Sequence, residues 1–200
     1  DIGMLPKLEG TVHVNMALVI KFIQNYFFGN IDLPVLPKMN EVKNDSFLFN
    51  QTSGGLGGIR FAEYDLAYKG IELENVLRFK EQLELFRTTL MRAPPSPQQA
   101  KNVDFMLAAG ELFTLIAYSQ LILENVKLYD IEDDLVNEIF GFIIRDFSEA
   151  ALQMILNHDV SEEQETLFQA MIKKPIVDAS RFERVWSTVH SLKDAYEMKA

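Results

Sequence analysis

The sequence predicts an all-α protein. Apolar residues recur three and four apart through most of it, and polar capping residues stand ahead of several of these runs. Beyond residue 70 no alternation of period two competes with them.

The first helix is expected from about Met16, through Leu18, Val19, Phe22, Ile23, Tyr26 and Phe27, to a stop at Gly29-Asn30. Residues 31–70 read as irregular. Leu33-Pro34 and Leu36-Pro37 favour extended backbone, Asn44-Asp45-Ser46 a turn, and Phe47-Leu48-Phe49 a short apolar anchor. The cluster Gly54-Gly55-Leu56-Gly57-Gly58 has no clear strand before it, no clear helix after it and no Gly-Lys-Ser/Thr ending, so it reads as a turn-forming linker. An irregular connection of roughly forty residues is uncommon inside a compact domain, which makes this segment an arm lying on a larger body.

From about Ile71 onward the chain is helical. A helix over Glu72–Met91 carries Leu73, Val76, Leu77, Leu83, Phe86 and Leu90 and stops at Ala93-Pro94-Pro95. Ser96-Pro97 opens the next, which runs to about Leu128 and is apolar on most faces, as the central helix of a bundle would be. Asp130, Glu132, Asp133 and Asp134 lead into a helix from about Ile131 to Asn157, where acids suit the positive end. Ser161-Glu162-Glu163-Gln164 reads as a capping box for a helix closed by Pro175. Ser180-Arg181-Phe182-Glu183 reads as a second one, opening a last helix with Phe182, Val185, Trp186, Val189, Leu192 and Tyr196 on one face.

Composition narrows the function. The content of 48% hydrophobic and 24% charged residues is that of a globular protein. The net charge of −10 opposes nucleic-acid binding, which needs a basic face. That excess falls after residue 30 and reads as a solvated surface. The most apolar run, Leu112–Leu123, is interrupted by Thr114, Ser119 and Gln120 and is too short to span a bilayer. The chain has no cysteine, which excludes disulfides and thiol chemistry and fits a cytoplasmic location. His13, His158 and His190 form no ligand pair at helical spacing, so no metal site is expected. His158 is expected in a loop beside a helix end and His190 at the surface.

One stretch reads as chemistry: Leu5-Pro6-Lys7-Leu8-Glu9-Gly10-Thr11-Val12-His13-Val14-Asn15. Pro6 and Gly10 bracket Glu9, which places a carboxylate in a turn just ahead of a helix, where backbone N–H groups are free. Taken alone, Glu9 or Thr11 is an ordinary helix cap. Glu-Gly-Thr leading into a long apolar helix, however, resembles the C-terminal catalytic segment of the acyl-CoA dehydrogenases. Gly57-Gly58-Ile59-Arg60-Phe61 and the ending Arg184-Val185-Trp186-Ser187-Thr188-Val189-His190-Ser191-Leu192-Lys193-Asp194-Ala195-Tyr196-Glu197-Met198 also look like bacterial members with an extra C-terminal helical domain. Leu8 stands where the family usually has tyrosine, and His13 where glutamine is often found.

The resemblance implies an FAD-dependent oxidoreductase of fatty-acid β-oxidation that turns an acyl-CoA into a trans-2-enoyl-CoA. Glu9 would be the base taking the α-proton, Gly10 would lie against the thioester, and Thr11 and His13 would approach the FAD. Residues 1–30 would then be the catalytic turn and the last helix of the family's C-terminal bundle, 31–70 a covering arm, and 71–200 an additional helical domain. The resemblance further implies an N-terminal remainder of the same enzyme, an electron-transfer flavoprotein as electron acceptor, and a homo-oligomer. The competing expectation is a helical assembly or interaction module without chemistry of its own.

Overall fold

A computed structural model describes residues 21–29, 31, 38, 60–193 and 195. Among them every regular element is helical. These are α1 (residues 21–28), α2 (Asp65–Tyr68), α3 (Glu74–Arg92), a 3-10 turn (Gln99–Lys101), α4 (Val103–Tyr129), α5 (Asp133–Ile155), α6 (Glu162–Met171) and α7 (Ala179–Ser191). The expected all-α class is the observed one.

The chain divides into two compact units. One takes the described residues up to Lys69 together with Pro97–Asp130, and the other takes Gly70–Ser96 and the described residues from Ile131 onward. This division differs from a single helical block over 71–200, because α4 groups with the segment before residue 70. Helical periodicity tells which face of α4 is buried but not which element covers it.

In the first unit α4 is the long element. Phe105, Ala109, Leu112, Ile116 and Leu123 are buried at helical spacing, whereas Leu107, Tyr118 and Leu121 are exposed. Its start is set by Asn102, whose side chain accepts from the Asp104 and Phe105 backbone N–H groups, and not by Ser96 as the sequence implied. Pro97 and Gln98 lie in a turn that leads only into the 3-10 helix, and the chain turns extended at Asn102 before α4 begins. Asp130 ends α4 in the left-handed region at φ 50°, which a short polar side chain tolerates. By length and apolarity α4 could cross a membrane, more than the interrupted run Leu112–Leu123 suggested. Half of its most apolar stretch is nevertheless buried within the protein, as in an ordinary core helix.

An aromatic cluster packs beside α4. Tyr26 of α1 meets the ring edges of Phe27, Phe61 and Phe113 at 5.1–5.4 Å and stacks on Tyr64 at 6.0 Å. Arg60-Phe61, the described end of the expected arm, is thereby tied to α1, and the Ile31 N–H donates to the Phe61 carbonyl at 3.1 Å. The Lys127 ammonium donates to the Leu66 and Lys69 carbonyls, fixing the end of α2.

In the second unit α3, α5 and α6 pack pairwise against one another. Val76, Phe79, Leu83 and Phe86 of α3 are buried at spacings of three and four. Phe79, which the sequence stripe omitted, is fully buried between the edges of Phe140 and Phe147, at 5.7 and 5.4 Å. Leu77, counted in that stripe, is exposed. The capping box at Ser161 forms as expected: Ser161 Oγ accepts from the Gln164 N–H, and Gln164 Oε1 accepts from the Ser161 N–H. The second box does not form. Asp178, two residues ahead of Ser180, caps α7 by accepting from the Ser180 and Arg181 N–H groups, and an ionised acceptor there outcompetes a hydroxyl. Helix α6 ends at Met171, four residues before Pro175.

Candidate functional site

Glu9, Gly10, Thr11 and His13 lie outside the described residues, as do Gly54–Ile59. The described residues begin at 21, beyond all four.

Within the first unit the most developed polar arrangement sits on α4. The Tyr26 hydroxyl donates to Gln120 Oε1 at 2.6 Å, and Gln120 Nε2 donates to Glu124 at 2.8 Å. The Tyr68 hydroxyl and Ser119 Oγ share a hydrogen bond of 2.8 Å, and Ser119 Oγ also donates to the Ile116 carbonyl. Burial first, then Tyr68, Glu124 and Tyr64, push the Tyr26 hydroxyl far above the usual phenol range. Tyr26 therefore stays neutral and acts as a fixed donor. Lys127, on the same helix, is held below the usual lysine range by loss of water, partly offset by Glu124. These groups satisfy one another and serve as structure.

In the second unit an extended cleft of about 880 Å³ lies between α5, the segment Lys173–Val177 and the start of α7. Its depth is shaped by Asn75, buried at 1% exposure. The Asn75 amide donates to the Asn137 and Ile176 carbonyls, its oxygen accepts from the Ile176 N–H at 2.7 Å, and its own backbone N–H donates to Asn137 Oδ1. Gln82 adds donations from Nε2 to the Met171 carbonyl at 2.7 Å and to Ser148 Oγ at 3.0 Å. The extended segment after α6 is thus pinned by side chains of α3 and α5, since it has no regular ladder of its own.

The cleft wall is apolar at Phe142, Pro175, Ile176, Val177 and Phe182, with charges at Arg145, Lys174 and Glu183. Arg145 lies 4.5 Å over the Phe142 ring and donates Nε–H to the Gly141 carbonyl. Ser148 Oγ is committed to the backbone of Ile144 and Lys173. Glu138 is committed to the buried Arg181, at 2.6 Å. Apolar contact and ion pairing are therefore available in this cleft, whereas its hydroxyl and the half-buried Glu138 carboxylate are already engaged. Sequence reading missed Arg145, whose only local signal is the aromatic three residues before it.

A second cleft of about 640 Å³ lies between Glu132, Asp134 and the face of α7 that carries Arg184 and Thr188. Asp134 accepts from Arg184 Nε at 2.6 Å, and this hydrogen bond holds the carboxyl below the usual carboxylate range and raises the guanidinium. His158 is exposed in the turn after α5, and His190 is exposed on α7 with its ring 6.3 Å from Trp186. Among the described residues no three histidine, aspartate or glutamate side chains gather into a metal-ligand set. No family profile, curated protein or solved structure matches the chain.

Proposed function

We propose that the chain is the C-terminal part of an FAD-dependent acyl-CoA dehydrogenase, working with an N-terminal remainder of the same polypeptide. The observation that carries this is the stretch Leu8-Glu9-Gly10-Thr11 running into a long apolar sequence run, followed in order by Gly57–Phe61 and by the ending from Arg184. The all-α fold of the described residues is compatible with it.

In this reading Glu9 takes the α-proton of the acyl thioester while the β-hydrogen leaves as hydride. FAD, when bound, would supply the hydride acceptor, and an electron-transfer flavoprotein would be its electron acceptor. A carboxylate in water is too weak a base for such a carbon acid, and burial beside an acyl chain would raise its pKa toward the working pH. On the resemblance, Gly10 would lie against the thioester, and Thr11 and His13 would approach the flavin. Replacing Glu9 by Gln in the complete enzyme keeps shape and removes the proton acceptor. Turnover should fall by roughly 10²–10⁴-fold while flavin content persists. A variant keeping more than about a tenth of the rate would remove Glu9 from the role.

A second reading, a helical assembly module without chemistry, is favoured by one feature: the apolar face of α7 is exposed. Colour separates the two. A yellow full-length preparation bleached by an acyl-CoA supports the enzyme, and a colourless one supports the module.

A further inference from the structure

The cleft of the second unit carries one guanidinium whose terminal donors the fold does not use. Gly141, Phe142, Arg145 and Ser148 fall on one face of α5, at helical spacing, and that face forms one wall. Arg145 lies 4.5 Å over the Phe142 ring and its Nε–H is engaged by the Gly141 carbonyl, which orients the guanidinium plane. Its two terminal amino groups have no acceptor among the described residues. Two other charges of the cleft are already matched, Glu138 by Arg181 and Lys173 by Glu81. The side chains of Lys174 and Glu183 make no hydrogen bond or ion pair among the described residues. The unmatched charges are thus two cations, Arg145 and Lys174, against one carboxylate, a sum of plus one. Apolar surface stands in the same cleft: Val177 is 83% exposed, Phe142 54% and Phe182 50%. The segment bearing Val177 is fixed by Asn75, which binds both the carbonyl and the N–H of Ile176.

We propose that this cleft binds a small monocarboxylate with an apolar body. The carboxylate takes the terminal donors of Arg145, a bidentate match to a planar guanidinium. The apolar body lies against Phe142, Val177 and Phe182. The volume of about 880 Å³ suits it, since small-molecule sites span roughly 300–1,000 Å³ and are apolar with a few polar anchors. Charge narrows the class. A single negative charge neutralises the plus one of the cleft, whereas a dianion overshoots it and a neutral molecule leaves the guanidinium unmatched. Because Asn75 and the Arg145–Phe142 stack hold the walls beforehand, little ordering is left to oppose binding. The site uses neither Glu9 nor a flavin, so it stands apart from the dehydrogenase reading.

The test titrates the 200-residue chain with 3-phenylpropionate and follows backbone amide shifts by NMR. Saturable binding is expected with Kd roughly 0.1–2 mM, as suits about a dozen heavy atoms, and the shifts should centre on Phe142, Arg145 and Val177. The neutral 3-phenylpropan-1-ol should bind at least about fivefold more weakly, and the dianion phenylsuccinate no more tightly than the monoanion. Arg145→Met keeps the stem and removes the donors, and should weaken 3-phenylpropionate by about five- to tenfold. Val177→Asp, at an exposed position, should weaken it similarly with circular dichroism unchanged. Glu183→Gln raises the sum of charge to plus two and should make phenylsuccinate the tighter ligand. No saturation by about 20 mM overturns the proposal. So do equal binding of the alcohol, a loss below about twofold in Arg145→Met, and shifts centred outside the cleft.

Discussion

Replacing Asn75 by Leu should be the most damaging single polar change in the second unit. The side chain is buried at 1% exposure and makes three hydrogen bonds, two from its amide and one to its oxygen. The Asn137 carbonyl lies inside α5, and the Ile176 carbonyl also receives Arg181, so both keep a partner. The Ile176 N–H loses Asn75 Oδ1 as its acceptor, and a half-buried orphan donor costs about 1–3 kcal/mol. Leu also fits poorly where an amide lay flat, adding about 1 kcal/mol. A loss of about 2–4 kcal/mol follows, and with m about 2 kcal/mol/M the urea midpoint should drop by roughly 1–2 M. Urea unfolding followed by circular dichroism measures it. A shift below about 0.5 kcal/mol would refute the claim that Asn75 holds the segment after α6 to α3 and α5.

Three further outcomes follow from the geometry. Ser161→Ala removes one half of the capping box and should lower stability by about 1 kcal/mol, read from the same denaturation curves, while Ser180→Ala, which caps nothing, should leave them within about 0.5 kcal/mol. Asp134 should titrate below 3.8, so its pairing with Arg184 is whole above that pH and is lost as pH falls through the depressed value; carboxylate NMR should show the midpoint moving back up in Arg184→Gln. Tyr26 is neutral in the fold beyond 10.0, where an unfolded tyrosine ionises, so its contribution is whole below that pH and declines as pH rises above it; ultraviolet titration should find one tyrosine that ionises only on unfolding, and Tyr26→Phe should lack it.

The helices were legible because their signals are local. The Ser161 box needs only four consecutive residues, and the α3 and α5 stripes need only their spacing. Two starts were misplaced because stronger acceptors lay nearby, Asn102 beyond Ser96 and Asp178 ahead of Ser180. The grouping of α4 was not legible, since spacing marks Phe105 or Leu112 as buried without naming what covers them. Helix α7 shows the same limit from the other side. Its stripe marks an apolar face, but the attachment through Arg181 and Arg184 depends on carboxylates more than forty residues away in sequence. Glu9, Gly10, Thr11 and His13 rest on the motif and its resemblance, because they fall outside the described residues.

The most direct test mixes the complete flavoprotein with an acyl-CoA and follows the visible flavin band in a single turnover. The account predicts that the wild-type band bleaches and that Glu9→Gln, carrying the same flavin content, bleaches at least about 100-fold more slowly. A full-length protein that purifies colourless, or a Glu9→Gln variant that bleaches at the wild-type rate, would contradict it.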